Sequence, residues 1–281
     1  MNESRTQESS GGKDVVVVTI FDESYLPGFL ALLQSLSEAE PSSKLSKVIA
    51  YNDTPGRPSS RRLEKAFGNF EIEYRSRSDL GEVDVSPSTV VRPKNLAKLA
   101  LFGIEADQEV AYFDCDMLFV GRRLSAITEL RHFSAAPNWG RREPEEVDGK
   151  PMFNSGFMVY RPSSELFSRI LEYARSSERS FPYGDQGILN YYFHHNAPSE
   201  LRYLDLRWNT MITLQNRFPE KYSEIEPQVL HLTGIKPWRH FRRRPSGGRS
   251  HPKYEHEVSL WWGYYRRAMR SLMTGRPTRT V

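Results

Sequence analysis

Asp114 and Asp116 stand one residue apart, after the apolar run Val110-Ala111-Tyr112-Phe113 and before a second one, Met117-Leu118-Phe119-Val120. Two carboxylates so spaced at a strand end can both reach one hard cation. Oxygen ligands suit Mg2+ or Mn2+, which keep positions open for substrate phosphates. The apolar frame favours that reading, because charges embedded in such a run need a partner. Alone, the pair is also an ordinary strand-end turn with two solvated acids. Much further along, His231 precedes Gly234, Lys236, Pro237 and Trp238. A neutral imidazole can complete a metal shell, Lys236 offers a point charge to a diphosphate, and Gly234 lets backbone approach a ligand. Taken singly, His231 reads more readily as a satisfied strand-end histidine and Trp238 as a core residue. Two more polar segments interrupt apolar sequence: Phe153-Asn154-Ser155-Gly156-Phe157 and Tyr183-Gly184-Asp185-Gln186-Gly187. Asn154 has the donors and acceptors that sugar hydroxyls need. Asp185 and Gln186 open a helix, where Asp185 on local grounds reads as its cap.

The elements between these segments decide whether they can meet. Short apolar, β-branched runs predict strands at 15–20, 47–51, 70–74, 110–113, 133–136, 157–160 and 229–232. Helical spacing covers 27–37, 59–67, 94–105, 164–174 and 186–192, and the charged, Gly- and Pro-containing stretch 141–150 reads as a surface loop. Strand and helix alternate through residue 130, which predicts an α/β fold with a mostly parallel sheet. Ligands bind such sheets beyond the carboxyl ends of the strands. The polar segments all fall at strand ends or just after them.

Composition excludes several classes. Among 281 residues there is a single cysteine, Cys115, so no internal disulfide forms. Residues 1–13 are polar and Ser/Gly-rich and read as a disordered tail, and no apolar run has the length of a membrane span. The expectation is a soluble, cytoplasmic protein. The net charge of +4 is uneven, since residues 239–281 hold eleven Lys/Arg and two Glu. A body without basic excess argues against nucleic acid as a partner. The tail interleaves Trp261, Trp262, Tyr264 and Tyr265 with Arg266, Arg267 and Arg270. That pattern suits a peripheral contact with an anionic membrane face through 253–281, and equally a terminal helix packed on the domain.

Taken in order, Asp114-Cys115-Asp116, Phe153-Asn154-Ser155-Gly156, Gly184-Asp185-Gln186-Gly187 and His231 through Trp238 resemble glycosyltransferase family 8, which contains glycogenin and galactinol synthase. The resemblance runs from about Val15 to Phe241, and the segment 208–220 is similar to the galactinol synthase branch. It implies a GT-A (Rossmann-like) domain over 14–241, a UDP-sugar donor, Mn2+ (with Mg2+ as the substitute ion) and retention of anomeric configuration. Residue by residue it implies Asp114, Asp116 and His231 as metal ligands and Lys236 at the diphosphate. Lys98, Asn154, Asp185 and Gln186 fall around the transferring sugar, and Thr19, Tyr25, Cys115 and Gly234 along the nucleotide. The acceptor it implies is a carbohydrate, polyol or glycolipid, and a homodimer is compatible with it.

Some positions depart from that pattern. Gly234-Ile235-Lys236 is one residue shorter than in glycogenin and resembles plant xylan glucuronosyltransferases. Asp22 stands in place of an asparagine, Pro182 in place of an aspartate, and Tyr222 lies too near His231 to match the self-glucosylated tyrosine. Other readings use the same site: a nucleotide-sugar hydrolase, a pyrophosphorylase-like enzyme or a non-catalytic binding module. The stretch Ile20-Phe21-Asp22-Glu23-Ser24-Tyr25 lacks the glycines of a nucleotidyltransferase loop, which weighs against the pyrophosphorylase.

Overall fold

The almost wholly apolar Val15–Ile20 forms strand β1, buried on both faces near the middle of a seven-stranded sheet. The computed structural model describes residues 15–39, 45–68, 70–85, 93–139, 146–178, 180–239 and 254–278. The expected N-terminal tail lies outside them. After β1 come helix α1 (Leu26–Glu38), β2 (Leu45–Tyr51), α2 (Ser60–Phe67) and β3 (Glu71–Arg75). A run of tight 3-10 turns, Pro93–Gly103, leads to β4 (Val110–Phe113), the three-residue β5 (Met117–Phe119) and β6 (Ser134–Pro137). A small hairpin, β7 (Glu146–Val147) and β8 (Lys150–Pro151), precedes β9 (Phe153–Tyr160). The rest of the domain comprises α3 (Ser164–Ser176), α4 (Asp185–His195), β10 (Arg202–Tyr203), β11 (Thr210–Met211), α5 (Pro219–Ser223) and β12 (Val229–His231). Helix α6 (Glu255–Thr274) follows.

The sheet runs β10-β6-β9-β4-β1-β2-β3, with β9 antiparallel to both its neighbours and every other pairing parallel. The chain first builds outward from β1 to β3, then crosses to place β4 on the other side of β1. That reversal opens a crevice at the carboxyl ends of β1 and β4, where Asp22 and Asp114 emerge. One face of the sheet is covered by α1, α2 and the Ala268–Leu272 end of α6, the other by Leu99–Phe102, α3 and α4. The mixed α/β architecture expected from the alternation is therefore present.

Three expectations need correction. The α-helix expected over 94–105 is instead the 3-10 helix Pro93–Gly103. The stretch 141–150 read as a loop carries most of the β7–β8 hairpin, while its residues 141–145 lie outside the described ones. Strand β9 starts four residues earlier than its apolar run, because Phe153 through Gly156 continue the ladder despite their polarity.

The tail helix spends much of its aromatic face on the domain. Trp261 is fully buried, stacked on Tyr265 at 5.1 Å and against Trp238 at 5.3 Å. Arg267 grips Glu38 of α1 through two hydrogen bonds of 2.5 and 2.9 Å. A bidentate guanidinium–carboxylate pair fixes orientation as well as contact. No helix among the described residues is long and apolar enough to cross a membrane.

Helix α4 is stapled to the sheet at its middle and near its C-terminal end. Asn190, fully buried, accepts from Phe153 N at 2.8 Å and donates to Phe153 O at 2.9 Å. Near the C-terminal end His194 Nε2 bonds Tyr203 Oη at 2.8 Å, and that hydroxyl donates to Pro151 O. His194 Nε2 therefore carries the proton, leaving a buried Nδ1 with no hydrogen-bond partner. Burial, with Lys150 and His195 nearby, pushes His194 down to about 4. The unfolded chain then binds the proton more readily than the folded one between about pH 6.5 and 4. Stability is expected to decrease as pH is lowered through that window, by up to about 1.4 kcal/mol per unit from this group. Urea midpoints across pH 4–7 test this, with His194→Gln flattening the slope.

Candidate active site

After β4 the chain reverses through Asp114-Cys115-Asp116, closed by Met117 N donating to Asp114 O at 3.1 Å, and enters β5. Strand β5 does not join the large sheet. It pairs antiparallel with β12, with β11 on the far side, and the register sets His231 opposite Met117. Leu232 N extends the pairing to Asp116 O at 2.9 Å. The ladder thus delivers an imidazole beside the acid pair. One ligand atom each from Asp114, Asp116 and His231 lie within 4.8 Å of one another, a spread one ion can bridge. Two carboxylate oxygens and one imidazole nitrogen form a donor set that can hold a divalent cation.

Glycines allow the approach. A Cβ on Gly156 would fall 2.6 Å from Met117 Cε and 2.7 Å from His231 Cε1. One on Gly28 of α1 would sit 2.3 Å from Cys115 O and 2.9 Å from Trp238 Cη2. Helix α1, the acidic turn and the Trp238 ring are in contact there, and Trp238 Nε1 also donates to Ser24 O at 2.6 Å.

Each acid has a lysine. Lys98 Nζ lies 3.0 Å from Asp114 Oδ1 and 3.4 Å from Asp185 Oδ2. Burial alone would lower the Lys98 ammonium, but Asp114 and Asp185 outweigh it and hold it above the usual lysine range. Lys236 Nζ donates to Asp116 and, at 3.0 Å, to Leu232 O. Burial would raise the Asp116 carboxyl, yet His231 and Lys236 together hold it well below the usual carboxylate range. His231 is oriented from behind by Asn209, whose Oδ1 lies 2.9 Å from Nδ1, leaving Nε2 towards Asp116 at 3.5 Å.

Asn209 belongs to a chain of amides. Its Nδ2 donates to Asn154 Oδ1 at 2.8 Å, and Asn154 Nδ2 donates to Asn138 Oδ1 at 3.0 Å and Gln186 Oε1 at 3.2 Å. Asp185 is not the cap of α4: Gly184 occupies that position. Asp185 is instead only 2% exposed, receiving Ser155 Oγ at 2.9 Å besides Lys98. Burial, with Asp114 nearby, raises its carboxyl despite Lys98.

A cavity of about 230 Å3 opens beside the turn, lined by Ile20, Asp22, Tyr25, Arg77, Lys98 and Asp114 among others. Tyr25 lies edge-on to Trp238 at 5.5 Å, and burial with Asp116 nearby pushes its phenol up to about 12. Thr19 corrects its expected role. It is wholly buried, its hydroxyl donating to Phe113 O at 2.8 Å and lying 3.1 Å from Cys115 Sγ. It braces the acidic turn from below and offers a ligand no surface. The Cys115 side chain is likewise buried, and burial raises its thiol. Gly234 adopts φ +76°, a left-handed conformation that favours glycine.

Sequence reading gave no role to Tyr112 or Asn138, nor to Ser155 and Asn209, which fall inside segments it quoted. Tyr112 Oη donates to Asp114 Oδ1 at 2.5 Å, and Lys98 Nζ sits 4.8 Å from its ring centroid. The alternation of strand faces could have found it, since residues 112 and 114 share a side. Asn209 lies in the segment 208–220 singled out by resemblance, but no pattern there ties it to His231.

Known proteins place this arrangement. The chain is 28% identical over 233 residues to UDP-glucuronate:xylan alpha-glucuronosyltransferase 2 of Arabidopsis thaliana, covering 81% of this chain and 36% of that one. It is 25% identical over 266 residues to glycogenin of Neurospora crassa, covering 92% and 36%, and 27% identical over 261 residues to glycogenin-1 of Oryctolagus cuniculus, covering 87% and 73%. It thus spans about a third of the length of the first two relatives. Among solved structures it superposes on the WbbM bifunctional glycosyltransferase with a TM-score of 0.66 at 16% identity, covering 94% of this chain and 52% of that one. For the galactosyltransferase LgtC the values are 0.63 and 18%, covering 90% and 95%. The fold is GT-A. The family model for glycosyl transferase family 8 matches residues 16–241, and the chain belongs to that family of glycosyltransferase enzymes.

Proposed function

We propose that the protein is a Mn2+-dependent retaining transferase, with Mg2+ as substitute ion, moving a hexosyl or related unit from a UDP-sugar to a carbohydrate, polyol or glycolipid acceptor. The observation that carries the reading is the convergence of Asp114, Asp116 and His231 within 4.8 Å, with Lys236 on the same acid. These residues would hold the cation, which when bound supplies Lewis-acid stabilisation of the departing diphosphate.

This chain's own residues do the rest. Negative charge grows on the β-phosphate as the sugar–phosphate bond lengthens, and Lys236, held beside the acids by Asp116 and Leu232 O, is the cation that would meet it. An ammonium that pairs better with the transition state than with the ground state lowers the barrier, typically by about 3–4 kcal/mol. Asn154 and Gln186 present amide groups to the sugar hydroxyls, held in register by Asn138 and Asn209. Asp185 is buried and committed to Lys98 and Ser155, so it supports positive charge at the anomeric carbon from a distance. Attack by the acceptor from the side of the leaving phosphate fits that arrangement better than a covalent aspartyl intermediate.

A panel of UDP-sugars with and without Mn2+, read by UDP release and by the anomeric configuration of the product, tests the reading. No release from any donor, or release unaffected by chelation, would sink it. Asn209→Ala is expected to weaken Mn2+ binding about 10- to 100-fold, because removing the partner of a ligating histidine frees its ring orientation. Manganese titration with an unchanged circular dichroism spectrum is the check. A cytoplasmic protein with peripheral membrane contact through 253–281 remains the reading for location, supported by the exposed Arg266, Arg270 and Met273 of α6. Vesicle co-sedimentation and sedimentation equilibrium would test that contact and homodimerisation.

A further inference from the structure

We propose that Arg77 reads the nucleobase of the donor through the base carbonyl most distant from the diphosphate, and so selects uracil. The inference rests on the nucleotide-sugar reading above. Arg77 follows β3 and lines the same cavity as Asp22, Tyr25, Lys98 and Asp114. Its backbone is held firmly: Arg77 N donates to Asp53 Oδ2 at 3.1 Å, and Ser76 Oγ donates to Asp53 Oδ1 at 2.7 Å. Ser76 and Asp79 close the turn with a reciprocal capping box. Its guanidinium, however, has no hydrogen-bond or ion-pair partner among the described residues. The neighbouring arginines do. Arg75 is bound by Glu73 at 2.6 Å and Tyr51 at 3.1 Å, and Arg57 by Thr54 O at 3.0 Å. Lys98, the other cation lining the cavity, is already shared by Asp114 and Asp185. Arg77 is therefore the cavity cation with donors to spare.

Strand order says which part of a ligand it meets. The metal-binding acids leave β4, and Arg77 leaves β3, three places along the sheet. At about 4.8 Å per strand that is a separation of roughly 14 Å. Such a span is comparable to an extended nucleoside diphosphate, with phosphates at the acids and the base towards Arg77. A guanidinium only donates. It satisfies the O4 carbonyl of uracil, the one pointing away from ribose, and it opposes the amino group cytosine carries there. The carbonyl O2 lies beside the ribose and is common to both bases.

Calorimetric titration of wild type, Arg77→Ala and Arg77→Lys with UDP, CDP and pyrophosphate, each with Mn2+, tests this. Wild type should prefer UDP to CDP. Arg77→Ala should lose about ten- to a hundredfold in UDP affinity, the usual range for a hydrogen bond to a charged group. It should change little for CDP and not at all for pyrophosphate. Arg77→Lys, which keeps the charge without the planar fork, should recover only part of the preference. Unchanged UDP affinity in Arg77→Ala, or equal losses for all three ligands, would overturn the inference while leaving the donor reading standing. Failure of wild type to bind UDP would overturn both.

Discussion

Asp116→Ala is expected to abolish sugar transfer, by at least about a thousandfold, and to leave the fold intact. The loss is large because one carboxylate serves as cation ligand, as the partner of His231 at 3.5 Å and as the anchor of Lys236. The fold survives because the lysine is not stranded, keeping its hydrogen bond to Leu232 O at 3.0 Å. The backbone pairing of Leu232 N with Asp116 O needs no side chain. Donor turnover and Mn2+ titration should fail together, while the circular dichroism spectrum at neutral pH stays native and the thermal transition falls by what the lost pairing with His231 and Lys236 contributed. The pH response carries a further sign. His231 and Lys236 outweigh burial and hold the Asp116 carboxyl below its unfolded value of about 3.9. Its stabilisation is present above that value and is lost as acidification proceeds through the folded pKa, a loss absent from the variant. Full activity of Asp116→Ala in metal-depleted buffer would refute the metal assignment.

Lys98→Met should instead damage stability first. Lys98 is 9% exposed and lies between Asp114 and Asp185, so its removal leaves two acids without their cation. Breaking a buried ion pair from one side costs about 3–5 kcal/mol. Denaturant unfolding at pH 7 reads it directly. Asp185 already sits above the ordinary aspartate range, because burial and Asp114 outweigh Lys98, and removal of the lysine raises it further. A carboxyl raised in the folded state favours folding at low pH and loses that advantage as pH rises through its folded pKa. The deficit of Lys98→Met should therefore narrow on acidification towards pH 5. A deficit below about 1 kcal/mol, or one indifferent to pH, would mean that the lysine is not what holds those acids.

What could be read from the residues follows what local pattern encodes. Strands such as Val15–Ile20 and Val110–Phe113 are legible because burial on both faces leaves continuous apolar runs. Only the second half of Phe153–Tyr160 is legible as a strand, because Asn154, Ser155 and Gly156 trade apolar character for site contacts while keeping strand geometry. The β5–β12 pairing was illegible. Met117–Phe119 looks like a continuation of its apolar surroundings, and nothing local says that its partner begins at Val229. Asn209 and Asn138 act through hydrogen bonds to residues distant in sequence, which composition and periodicity do not record. Thr19 illustrates the converse error. It occupies a position matched to a ligand contact, but its hydroxyl is consumed by Phe113 O beneath the turn.

The separate small sheet has a thermodynamic consequence. His231 and Lys236 reach Asp116 from a β-ladder that shares no strand with the seven-stranded sheet, and Lys236 lies 120 positions away along the chain. A cation gripped by Asp114, Asp116 and His231 would fasten the two ladders together like a rivet. Ion affinity and the seating of the C-terminal third would then be one linked equilibrium, each strengthened by whatever strengthens the other.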